Sequence, residues 1–191
     1  MTRKKHRSQI AGNAGPGSFM KRIAVIGSGG AGKSTLARKL GGILGLPVIH
    51  LDALYWKPGW VAPPWEEWRE IVAGVVGGNS WIIDGNYSGS LDIRLPAADT
   101  VVFMDYPRWR CFWNILKRTV RHLGRSRPDM APGCRERIDL EFLRWIWLFP
   151  LDTRPRILAR IGEYTAGKPV IVLRNPAEVR RFVVSLRETT H

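Results

Sequence analysis

The sequence predicts an α/β fold in which one parallel β-sheet lies between two layers of helices. Three observations predict it. Five short apolar runs occur, at residues 22–26, 47–51, 81–83, 100–104 and 170–173, and a strand that is apolar along its whole length is one buried on both faces. Segments of helical length separate the runs, as parallel neighbours require. A glycine-rich loop stands directly between the first run and the first helix.

The elements follow in order. Ile23-Ala24-Val25-Ile26 is the heart of the first strand. Residues 27–34 read GSGGAGKS. They fit the phosphate-binding pattern G-x-x-x-x-G-K-[ST] in the setting that gives it meaning, a strand before and a helix after. That helix runs from Ser34 to Leu44, and Gly45 ends it. The second strand, 47–51, carries Asp52 at its carboxyl end. Pro63-Pro64 opens a helix to about Val76, because the fixed φ of proline suits a first helical turn. Trp81-Ile82-Ile83 is the third strand, and residues 84–90 form a loop leading to Arg94. The fourth strand, 100–104, ends at Asp105, and Pro107 opens a helix to about Leu123. Residues 124–133 are a loop, helices cover roughly 135–148 and 155–165, and Pro176 opens the final helix after the fifth strand.

A chain of 191 residues fits one domain with a lid-sized insertion. The formal net charge of +14 favours a polyanionic partner, either a nucleotide or nucleic acid. Cations crowd residues 106–137, and most are arginines, which bind oxyanions with a planar fork. Residues 1–19 place Arg3, Lys4, Lys5 and Arg7 ahead of a turn-rich stretch and read as a disordered basic extension. The folded unit then covers 20–191, with the lid at about 118–137. The two cysteines, Cys111 and Cys134, suit buried thiols rather than a disulfide framework. No apolar run is long enough to span a bilayer, and none resembles a secretory signal, so a cytoplasmic monomer or homodimer without a membrane partner is expected. Two aromatic clusters, Tyr55 to Trp68 and Phe142 to Phe149, suit core packing, with one or two rings left to stack on a base or sugar.

The chemistry begins at the loop. Gly27, Gly29, Gly30 and Gly32 let the backbone of Gly27, Ser28, Gly29, Gly30, Ala31 and Gly32 aim its N–H groups at one anion. The helix start adds its positive dipole end at Lys33, Ser34 and Thr35. Lys33 reaches the outer phosphates of ATP, and Ser34 offers its hydroxyl to Mg²⁺. Ligands of such sheets bind at the carboxyl ends of the strands. Gly27, Asp52, Asp84, Asp105 and Arg174 are therefore expected around one cleft, with Arg174 on the nucleotide side. Asp84 is the candidate for Mg²⁺, partly through water. Asp52 is a candidate general base or acceptor-hydroxyl partner; its rival role is a helix cap. Asp105 reads as a cap or turn residue. Asn86 and Tyr87 are candidates to contact a small acceptor, and Arg94 either binds an acceptor phosphate or forms a surface ion pair. Arg118, Arg121 and Arg125 share a helical face if the helix persists, and with Arg127 they can stabilise the charge of a transferring phosphoryl group.

The blocks MKRIAVIGSGGAGKST, HLDALYWKPGW, WIIDGNY, DYPRW, RPDM and DLEFLRWIW, spread over residues 20–187, together resemble the bacterial DNA topology modulation proteins. These are relatives of adenylate kinase in the nucleoside monophosphate kinase-like group. The resemblance implies a P-loop fold with strand order 2-3-1-4-5 and a short arginine-rich lid. Asp84-Gly85 falls where adenylate kinases carry a similar pair, which implies Asp84 near Mg²⁺ and Arg94 near an acceptor phosphate. The segment from Asp52 to Trp81 departs from adenylate kinase in being short and rich in tryptophan. The expected activity is transfer of the ATP γ-phosphoryl to a small acceptor. The alternative is a nucleotide-dependent DNA-binding or topology-modulating regulator with weak ATPase and no kinase activity.

Overall fold

The computed structural model describes residues 20–124, 133–134 and 138–190. The basic extension at 1–19, Arg125, Arg127 and most of the lid segment after residue 124 lie outside the described residues.

The five apolar runs become β1 (Arg22–Gly27), β2 (Val48–His50), β3 (Trp81–Asp84), β4 (Thr100–Met104) and β5 (Val170–Leu173). All neighbours are parallel, and the order is β2-β3-β1-β4-β5. Side chains alternate across the sheet, so the residues of β1 divide between two cores. Ile23 and Val25 pack with Leu36 and Leu40 of α1 (Lys33–Leu44) and with Leu186 of α8 (Pro176–Thr190). Ala24 and Ile26 face the other layer, with Trp68 and Val72 of α3 (Trp65–Val76) and Ile157 of α7 (Thr153–Tyr164). The sheet is thus covered on both faces, as its unbroken apolar strands demand. Register sets the working edge: Asp84 at the end of β3 lies opposite Val25 on one side and His50 on the other.

Several local features differ from the sequence reading, each for a physical reason. The second strand stops at His50 because Leu51, fully buried, already belongs to a short helix, α2 (Leu51–Tyr55). His50 is the N-cap residue of that helix, so Asp52 is not its cap. Residues after the 84–87 loop do not remain irregular. They form a 3-10 turn at Ser88–Ser90 and then α4 (Leu91–Ala97), which buries Leu91 and Leu95. The helix expected from about residue 135 starts later, as α6 (Leu140–Leu148), because the Asp139 carboxylate accepts from the Phe142 backbone N–H at 2.9 Å and caps it there. Asp105, at the end of β4, is neither a cap nor a turn residue. Arg154 of α7 grips it with two N–H donors at 2.7 and 2.8 Å. Helix α5 (Arg108–His122) runs as expected from Pro107. No helix among the described residues is long and apolar enough to cross a membrane.

Candidate active site

The loop after β1 is shaped by its glycines at two positions above all. Gly27 has φ +145, and a Cβ there would stand 2.5 Å from the Met104 carbonyl oxygen of β4. Gly30 has φ +76, and a Cβ there would collide with the Cys111 carbonyl of α5. Both need a residue without a side chain. Asn114 of α5 then ties the loop from outside, its Nδ2 donating to the Gly30 carbonyl at 2.9 Å.

Helix α1 begins where the loop ends, and its start is bare. Its N-cap is Gly32, no side chain caps it, and its first turn holds no acidic residue. The first N–H groups of a helix have no partner within it, and here no carboxylate offsets their positive end. Lys33 lies across the loop with Nζ donating to the Ser28 carbonyl at 2.9 Å. A ring of main-chain donors with a lysine beside it fits the phosphate tail of a nucleotide. Ser34 and Thr35 line the same opening.

That opening is a cleft of about 1210 Å³. Most sites for a single drug-sized ligand enclose roughly 300–1,000 Å³, so this one has room for a nucleotide and a second small molecule. Lys33 and Gly30 lie on its wall, and so do Asp52, Asp84, Asn86 and Tyr87. Arg118 and Arg121 of α5 line it too. The strand-end rule thus brings together the loop, Asp52 and Asp84, but not the other two groups expected there. Asp105 is held by Arg154, and Arg174 stands exposed after β5, outside the lining of the cleft.

Asp84 is buried, with one oxygen engaged and one spare. His50 Nδ1 lies 2.9 Å from Oδ2, and Oδ1 is buried with no hydrogen-bond partner. A carboxylate only accepts, so the proton of that contact sits on Nδ1. The unsatisfied Oδ1, with the Ser34 hydroxyl on the same wall, is a donor set of the hard-oxygen kind that suits Mg²⁺ with part of its water shell. Asp52 is engaged through Oδ1 as well, by the Tyr87 hydroxyl at 2.8 Å. Burial, and then the neighbouring Asp52 charge, push the Tyr87 hydroxyl far above its ordinary range, so it remains a donor.

Arg94 corrects the sequence reading outright. It is neither a phosphate anchor nor a surface residue, because it is fully buried on α4. Its guanidinium donates to the carbonyls of Gly85 at 3.0 Å, Asn86 at 2.6 Å and Tyr87 at 3.0 Å, and to Ser90 Oγ at 3.3 Å. Burial lowers its pKa to about 10, with the charge of Asp84 opposing that shift, so it stays charged at neutral pH. Its work is to shape the loop that carries Asn86 and Tyr87. Sequence reasoning also passed over Arg38, which lines the cleft from α1. A signal was present: Arg38 is four residues after Ser34 and therefore on the same helical face.

Comparison with solved structures places this fold. Shikimate kinase from Acinetobacter baumannii, solved in complex with shikimate, is 15% identical, with a TM-score of 0.55 over 88% of this chain and 91% of that one. Shikimate kinase from Bacteroides thetaiotaomicron is 19% identical, with a TM-score of 0.51 over 88% of this chain and 97% of that one. A scan of protein-family models gives no match, and a search of curated proteins gives none. At these identities the likeness is one of fold, a five-stranded parallel sheet between layers of helices.

Proposed function

We propose that this protein is an ATP-dependent phosphotransferase that moves the γ-phosphoryl group to a hydroxyl of a small acceptor. One observation carries this reading. A bare helix start with Lys33 and a carboxylate pair, Asp52 and Asp84, line the same cleft. A switch that only bound or hydrolysed nucleotide would not need a cleft of this size, or a second carboxylate, Asp52, besides the one suited to Mg²⁺.

The phosphate tail rests on the N–H groups of residues 27–35, and Lys33 leaves the Ser28 carbonyl for the outer phosphates. Ser34 and Asp84 would hold Mg²⁺, which would neutralise part of the triphosphate charge. Asp52 accepts the proton of the acceptor hydroxyl as its oxygen bonds to the γ-phosphorus. The bond from that phosphorus to the β-phosphate bridging oxygen breaks, and ADP departs with the electron pair. Arg118 and Arg121 offset the negative charge spread over the transferring group. Kinase action on a small molecule is also what the solved shikimate kinases carry in their names.

A panel of hydroxyl compounds with γ-labelled ATP tests the reading. Label is expected in one acceptor, and Asp52→Asn is expected to lower kcat by about 10²-fold, the contribution usual for a positioned base. Absence of transfer to any acceptor, with duplex DNA bound at an affinity that falls steeply as salt rises, would favour the regulator reading instead.

A further inference from the structure

Among the described residues only two that are not glycine have positive φ, Trp60 at +65 and Tyr87 at +29. Both line the same cleft. A bulky side chain in the left-handed region persists only where its surroundings over-determine it, and such positions gather at ligand sites.

The surroundings here are specific. Lys57 and Val61 close the turn that carries Trp60, with Lys57 N–H donating to the Val61 carbonyl at 2.9 Å. Trp56 and Trp60 then meet at 5.4 Å with their planes at 66°, a corner of two rings that packs against the buried Cys134 and also lines the cleft. Asp52 stands four residues before Trp56, whose N–H closes the short helix on the Asp52 carbonyl, and both line the cleft. Its Oδ1 is taken by Tyr87, which leaves Oδ2 for a ligand hydroxyl. Next to Tyr87 in the chain, Asn86 also lines the cleft, and its Oδ1 is buried without a hydrogen-bond partner.

From this we infer that the acceptor is a ring compound with an apolar face and adjacent hydroxyls, of the monosaccharide, cyclic polyol or nucleoside-sugar kind. Its ring lies in the Trp56–Trp60 corner, and its hydroxyls meet Asp52 and Asn86. This inference rests on the phosphotransferase reading for the chemistry, though not for the binding. Aromatic faces receive the C–H face of such a ring, while paired oxygen acceptors orient its hydroxyls.

The experiment uses the full chain with a non-hydrolysable ATP analogue. Binding of glucose, ribose, myo-inositol, adenosine, thymidine, glycerol and serine is measured by calorimetry, and transfer is then measured with γ-labelled ATP. The first five are expected to include the binder. Trp60→Ala is expected to raise its Kd about tenfold or more, with the ATP-analogue Kd within twofold, and Trp60→Phe, which keeps a smaller ring, to fall between. A thermal melt of each variant checks folding. Sugars against nucleosides separate the two sources of such a ring. Binding without transfer keeps the corner and removes the phosphotransferase reading. Transfer to an open-chain acceptor, or a Trp60→Ala Kd equal to that of the parent chain, overturns the corner and leaves phosphotransfer standing.

Discussion

Lys33→Ala is expected to lower kcat/KM for phosphoryl transfer by about 10³-fold or more, a loss of roughly 4 kcal/mol in transition-state stabilisation. The fold should barely register the change. Lys33 is half-buried on the wall of the cleft, and its ammonium donates to the Ser28 carbonyl. Its side chain supports no core contact in either layer of the sheet. What disappears is a positive charge beside the bare start of α1, where in the proposed reaction the outer phosphates gain charge as the phosphoryl group leaves. Lys33→Arg should not restore activity, because a planar fork is longer and cannot replace a compact ammonium in so tight a loop. Transfer assays on both variants, with thermal melts beside them, check this. Activity of Lys33→Ala within tenfold of the parent chain would mean that the loop does not serve the reaction.

The glycine-rich loop between β1 and α1 and the sheet were legible because their signals are local. Eight consecutive residues spell the loop, and each strand is a contiguous apolar run whose neighbours follow from parallel topology. The wall of the cleft that carries Asp52, Asn86 and Tyr87 was only half legible. Asp52, Asn86 and Tyr87 could be named from their place after strand ends, but their pairing could not, since Tyr87 and Asp52 are 35 residues apart in the chain. The contact of His50 with Asp84 is hidden in the same way, because it depends on β2 and β3 being neighbours in register. Helix α4 escaped notice because it is short, carries Pro96 and follows a glycine- and serine-rich turn. Missing that helix is what misplaced Arg94. An arginine read as standing on a loop is free to meet a ligand, whereas on a helix packed under the sheet it points inward.

That burial makes Arg94→Met the substitution with the largest expected effect on stability. Methionine replaces the stem of arginine but lacks the guanidinium carbon and its two terminal nitrogens, so the stem packing is kept and a small cavity is left where the guanidinium stood. The donors are another matter. The carbonyls of Gly85, Asn86 and Tyr87 converge on the guanidinium, and each buried acceptor left alone costs about 1–3 kcal/mol. Water can enter from the cleft side and relieve part of that, so the net loss should be about 3–5 kcal/mol. In a chain of this size such a loss lowers Tm by roughly 10 °C. Arg94→Lys should recover little, because an ammonium cannot span three carbonyls fanned across a loop. The electrostatic consequence is separate: Asp84 loses the buried cation whose charge it faces, so the Mg²⁺ affinity proposed for it should change along with stability. Thermal melts with and without Mg²⁺ and an ATP analogue distinguish the two effects. If both variants melt within 2 °C of the parent chain (an order-of-magnitude threshold set by about 1 kcal/mol), the loop that presents Asn86 and Tyr87 is held by something other than Arg94, and the geometry of the acceptor chamber would need another support.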